Sequence, residues 1–295
     1  MSQVDAALRS NPRTDRFAAY VAIDWSGAKG RRHKGIAIAE ARGDDAPRLV
    51  RPGHVWSREG VLDWLLKRAA KEPTLFGFDF SFAPPFAERG AYLPGENGVP
   101  DTARDFWAYV DASSEDEDLG AASFLEQVHR RHFYFGIADG VKADFVRFRT
   151  CDARLNAQGG RKTASAYDAI GAAQVAKASF SGMRLLHRLN GKVAIWPMDP
   201  LPAHGSAVAE IYTRIYLRNA GMSGKKLRTC ADLNRALAGL GSKPSRLQFE
   251  PNDHQTDALV TAAGMRAHAD SPLAFAPSGL TSELAQTEGW TFGII

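Results

Sequence analysis

The chain has 295 residues, 44% of them hydrophobic and 24% charged, enough to bury one large core or a domain with a big insertion. It carries a net charge of +4, a mild excess that permits a polyanionic partner without demanding one. No apolar run approaches the roughly 20 residues needed to span a bilayer, and Met1 to Arg16 has no apolar signal region; residues 1–16 read as a mobile tail and the protein as cytoplasmic, with no membrane partner. Cys151 and Cys230 form neither a metal motif nor a disulfide framework.

Residues 18–25, Ala-Ala-Tyr-Val-Ala-Ile-Asp-Trp, read as a first strand that ends on Asp24. A basic, Gly-containing turn follows, with Lys29, Arg31, Arg32, His33 and Lys34. Gly35 to Glu40 alternates and reads as a second strand, so the pair forms a hairpin. Leu49 to Trp56 is a weaker third strand. Ser57 is a good N-cap for the amphipathic stretch Val61 to Ala70, which Pro73 stops. Thr74 to Phe80 is almost wholly apolar, the pattern of a strand buried on both faces, yet it contains Asp79. A hairpin followed by a helical crossover predicts a mixed sheet.

Residues 83–190 interrupt this pattern and read as a mostly helical insertion or cap. Pro84-Pro85, Pro94-Gly95 and Pro100 mark loops. Glu115 to Asp118 is an acidic run expected to be a solvated loop. Ser165 to Leu189 reads as a helix broken or bent near Ser179–Gly182. Residues 141–163 hold six basic residues against two acidic ones, Asp144 and Asp152, with Phe145 and Phe148 interleaved. Lys192 to Trp196 and Ala207 to Tyr212 are short strands, the second carrying Glu210. Leu227 to Leu240 is a helix with Gly241 as its C-cap. Asp253 to His268 is a helix with small apolar residues at buried spacing. Gly289 to Ile295 is a candidate last strand.

The acids on these elements carry the chemical argument. A carboxylate inside an apolar strand is costly unless something pairs with it. Several such residues on separate elements point to a shared cation, and hard divalent ions take oxygen ligands. Ions held this way activate water against a phosphodiester. Asp24, Asp79, Glu210 and Asp257 are therefore candidate catalytic and metal-ligating residues. Three of them have a plainer alternative: a turn residue for Asp24, a buried ion pair with an arginine for Asp79, an exposed strand face for Glu210. Asp253 and Asp257 are four apart and share a helix face. Asp253 is a further candidate ligand, although it is equally a natural N-cap. His254 lies three residues before Asp257 and is a candidate proton shuttle or phosphate contact.

The acid on the first strand, the acid on the fourth and the acid on a later helix resemble the RNase H-like superfamily. His254-Gln-Thr-Asp257 looks like the His-x-x-Asp helix of its Holliday-junction-resolvase branch. The segments Val21–Gly27, Gly77–Phe80, Gly171–Met183, Ile195–Pro197, Ala209–Tyr212 and Asp253–Leu259 together resemble the uncharacterised domain family 429, described as predicted RNase H-like nucleases. One departure is visible: Thr213 stands where family members often have Pro. The resemblance implies an α/β fold with a mixed five-stranded sheet flanked by helices, an insertion after the fourth strand, Mg²⁺ or Mn²⁺ as cofactor and a nucleic acid as partner.

Such a partner would lie against Lys29, Arg31, Arg32 and Lys34, and against Lys142, Arg147, Arg149, Arg161 and Lys162. Each group is equally readable as a solvated basic loop. Lys177, Ser179 and Ser181 either face phosphate or serve packing. Two rival functions remain: a non-catalytic nucleic-acid-binding protein, and an actin- or sugar-kinase-like ATPase, which needs a second phosphate-binding hairpin.

Overall fold

The computed structural model describes residues 16–159, 162–170, 175–224, 226–271 and 273–295. Residues 1–15 of the expected tail, Arg161 and Gly171–Gln174 lie outside the described residues. The fold is α/β, a six-stranded mixed sheet flanked by helices. Its strands are β1 (Ala19–Asp24), β2 (Ala37–Ala41), β3 (Arg48–Leu49), β4 (Thr74–Phe78), β5 (Ala194–Ile195) and β6 (Ala207–Glu210), in the order β3-β2-β1-β4-β6-β5. β1, β2 and β3 are antiparallel neighbours, whereas β4, β6 and β5 run parallel to β1. The described helices are α1 (Arg58–Ala69), α2 (Ala103–Ala112), α3 (Thr150–Ala157), α4 (Val175–Leu189), α5 (Thr213–Asn219), α6 (Cys230–Gly239), α7 (Asp253–Ala269) and α8 (Ser282–Thr287).

Side chains alternate between the two faces of the sheet, and the faces differ in bulk. One face carries Val21, Ile23, Ile38, Phe76, Phe78 and Val208, which pack with residues of α1, α2 and α4. The other carries Ala22, Ala37, Ala39, Leu75, Ala207 and Ala209 and receives α7. Small residues on both partners bring α7 close to β1 and β2. At Gly77 a Cβ would meet Ile211 at 2.6 Å and the Met265 sulfur at 2.7 Å, so only glycine fits the closest approach.

Several elements depart from the sequence reading. The sheet has six strands rather than five. The third strand is only two residues long, and Trp56 meets His33 through an isolated bridge. The C-terminal segment forms no strand; Thr291 makes a single bridge to Glu210. α4 runs unbroken through Ser179–Gly182, and Gly182 serves packing there: the Phe80 ring rests 2.3–2.4 Å from where a Cβ would be. The acidic run is solvated only in part, with Glu115 and Glu117 exposed and Asp116 half-buried. Asp118 is buried and accepts the N–H groups of Arg58 and Glu59, capping α1 beside the Ser57 cap. At α7 the N-cap is Asn252, in a reciprocal capping box with Gln255, which moves Asp253 into the first helical turn.

Candidate functional site

Asp24 and Asp79 lie side by side. Ile23 is level with Phe78 in the parallel β1–β4 pair, and the Asp79 N–H donates to the Ile23 carbonyl at 3.1 Å. Both acids therefore leave the C-terminal ends of adjacent strands with the same parity. That parity is shared with Ala22 and Gly77, so both belong to the face that α7 covers. α7 brings His254 and Asp257 to the same end: His254 Nδ1 is 2.5 Å from Asp24 Oδ2.

The segments behind the two strand ends are braced by α4 and α1. The Trp25 indole N–H donates to Ser181 Oγ at 3.0 Å, and the Ser81 N–H donates to Ser179 Oγ at 3.1 Å. Both serines are buried, which settles their role as packing and positioning groups. Gly27 allows its loop to touch the α4 backbone, since a Cβ there would lie 2.3 Å from the Ala178 nitrogen. From the other side the buried Arg58 guanidinium donates to the Ser26 and Ala28 carbonyls at 3.0 and 2.6 Å. Strand ends held this firmly keep their carboxylates in place.

Electrostatics single out the same residues. Burial pushes the Asp79 carboxyl well above the usual carboxylate range, with Asp24, Asp257 and Glu210 adding repulsion and Arg214 opposing it. Burial, then repulsion from Asp24 and Asp253, raises Asp257 to about 7, against His254 and Arg214. Burial also raises Asp24, although its bond to His254 pulls the other way. The His254 imidazole is raised chiefly by that bond. These are acids crowded together with too little positive charge nearby.

Glu210 has a different position. It is level with Phe78 and shares that residue's face of the sheet, opposite to Asp24 and Asp79. Both of its oxygens are taken. Arg149 Nη1 donates to Oε2 at 2.6 Å and Nη2 to Oε1 at 2.5 Å. The Phe82 N–H and the Thr291 hydroxyl add bonds of 2.8 and 2.6 Å. The arginine pair considered for Asp79 is thus found at Glu210, and a carboxylate so saturated has no lone pair directed at a cation shared with the aspartates. Asp253 is exposed and pairs with Lys226 at 3.0 Å.

The basic residues are mostly engaged. Lys29 pairs with Glu126 at 2.7 Å, Arg31 with Glu117 at 2.7 Å, Lys142 with Asp168 at 2.6 Å and Arg147 with Glu88 at 3.2 Å. Arg149 is buried on Glu210 and Asp152 and is no surface contact for any polyanion. Among the described residues Arg32, Lys34 and Lys162 are exposed and make no ion pair. Arg161 lies outside the described residues. Sequence reasoning missed Arg214, exposed on the first turn of α5, which acts electrostatically on both Asp79 and Asp257. Its only signal was its place four residues after the Glu210 strand end.

A separate group could hold a metal ion. Glu96, His129 and His132 each offer a ligand atom, all within 4.8 Å of one another, and no other group of three or more among the described residues converges so tightly. No helix among the described residues is long and apolar enough to cross a membrane. No family model, curated protein or solved structure matched the chain.

Proposed function

We propose that the protein is a divalent-metal-dependent phosphodiesterase acting on a nucleic acid, built on an RNase H-like arrangement of its sheet. The observation that carries this reading is the crowding of Asp24, Asp79 and Asp257, from three separate elements, at one end of the sheet. Three oxygen-donor side chains whose burial raises their pKa values, with repulsion from neighbouring carboxylates adding at Asp79 and Asp257, suit a hard cation. Asp24, Asp79 and Asp257 would hold Mg²⁺ or Mn²⁺, which supplies a Lewis acid and a more acidic water. Glu210 is assigned to bracing rather than to the cation, and Asp253 to shaping the field around Asp257.

The chain's own groups then have distinct tasks. His254 holds Nδ1–H against Asp24 and is half exposed, so Nε2 is the nitrogen that would exchange a proton with solvent or with a departing oxygen. Arg214, Arg32 and Lys34 are exposed cations placed to meet backbone phosphates. An ATPase of the actin or sugar-kinase kind would need a second phosphate hairpin. Among the described residues antiparallel strand pairing is confined to β1, β2 and β3, with one isolated antiparallel bridge, His33 to Trp56, beside them.

Mn²⁺ binding by the full chain, followed by thermal shift at pH 8, tests the ligand set. The wild type is expected to gain stability with Mn²⁺, and Asp79→Asn to lose that gain. An equal gain in both proteins would refute the assignment.

A further inference from the structure

Glu96, His129 and His132 stand apart in sequence from the acidic cluster and play no part in the function proposed above. We propose that they form a second metal site, selective for a borderline transition ion such as Zn²⁺. His129 Nδ1 is buried and has no hydrogen-bond partner, in a residue only 4% exposed. An unpaired buried nitrogen is costly, and it requires an explanation that the surrounding ion pairs do not supply. It faces Glu96 Oε1 at 3.7 Å. His132 Nε2 lies 3.0 Å from the same oxygen. Tetrahedral ligation at the usual Zn–N and Zn–O lengths places neighbouring donors about 3.3 Å apart, between these two separations.

The rest of the environment fits a metal ligand. His129 Nε2 shares a 2.9 Å hydrogen bond with the Tyr109 hydroxyl. With the proton on Nε2, the Nδ1 lone pair is presented to the site, the orientation that outer partners impose on metal-bound imidazoles. His129 directly follows a π-helical turn, Phe124–Val128, and its N–H closes on the Phe124 carbonyl at 3.0 Å. Glu96 and His132 retain some exposure, 26% and 12% of their side chains, so an ion can enter. Two imidazoles and a carboxylate are a donor set that zinc accepts with a fourth position left open. Arg131 is the competitor: its Nε donates to Glu96 Oε1 at 2.9 Å and to His132 Nε2 at 3.3 Å, and its side chain is 61% exposed. Its Nη2 also donates to the Gly95 carbonyl at 3.0 Å, so a cation that takes its place must displace Nε from Glu96 and His132.

Cobalt substitution of the chelator-stripped full chain tests the proposal. One equivalent of Co²⁺ is expected to give a visible absorption band that one equivalent of Zn²⁺ abolishes. The band should be lost in Glu96→Gln and in His132→Ala, and kept in Asp257→Asn. Tyr109→Phe should weaken Zn²⁺ binding by about 10- to 100-fold. Glu96→Gln alters a partly exposed side chain without changing its size, so it remains informative if His132→Ala fails to fold. No band in the wild type, a band that survives in Glu96→Gln, or one that disappears in Asp257→Asn would overturn the site.

Discussion

Arg149 and Glu210 form a two-pronged ion pair beneath the sheet end, with side chains only 2% and 4% exposed. The pair joins the insertion to β6. Removing one partner strands a buried charge, which costs on the order of 3–5 kcal/mol. Arg149→Ala and Glu210→Ala are each expected to lose that much in urea unfolding. The double variant should lose less than the sum of the two. Additive losses would show that the pair is not coupled.

The acidic cluster makes stability fall with rising pH when no divalent ion is present. Asp257, raised from 3.8 to about 7, binds a proton more tightly when folded than when unfolded. Its effect is absent below the unfolded value and becomes a penalty as pH rises from about 4 to 7, up to roughly 4 kcal/mol. Asp257→Asn is therefore expected to be more stable than wild type at pH 8 and nearly equal to it at pH 4. Chemical denaturation at the two pH values measures this, and a variant less stable at pH 8 would contradict it.

His254 contributes with the opposite charge and the same direction. Its folded pKa is raised by Asp24, so its stabilisation is fully present below the unfolded value of about 6.5 and is lost as pH rises through the folded one. An NMR titration should place the His254 imidazole above the ordinary histidine value. Asp24→Asn should bring it down. An unchanged midpoint in that variant would separate the two residues.

Gly27 lies where the loop behind Asp24 meets α4 backbone, which cannot move aside as a flexible side chain could. Gly27→Ala is expected to cost about 1–3 kcal/mol through overpacking. It should also weaken Mn²⁺ binding by displacing Asp24. Thermal melts with and without Mn²⁺ would report both effects; an unchanged melting temperature would show that the loop yields.

Asp24, Asp79 and Asp257 were legible in the sequence because each interrupts an apolar or small-residue element that had to be buried. The hairpin, the crossover helix and α7 were legible from alternation, capping and helical spacing. Glu210 looked equivalent to them because its face depends on register with β4, which one strand's sequence does not contain. The Arg149 clamp was hidden for a related reason: it lies 61 residues away, in a loop that reads as a basic surface. Asp118 belonged to an acidic run whose binding of Arg58 and His33 arises only from tertiary contact.

Cleavage of a panel of duplex, hybrid, junction and single-stranded substrates with Mn²⁺ or Mg²⁺ tests the central claim most directly. The wild type is expected to cut at least one substrate only when the ion is present. Asp24→Asn, Asp79→Asn and Asp257→Asn should each lose that activity. Absence of cleavage by the wild type, or equal cleavage by any of the three variants, would contradict the account.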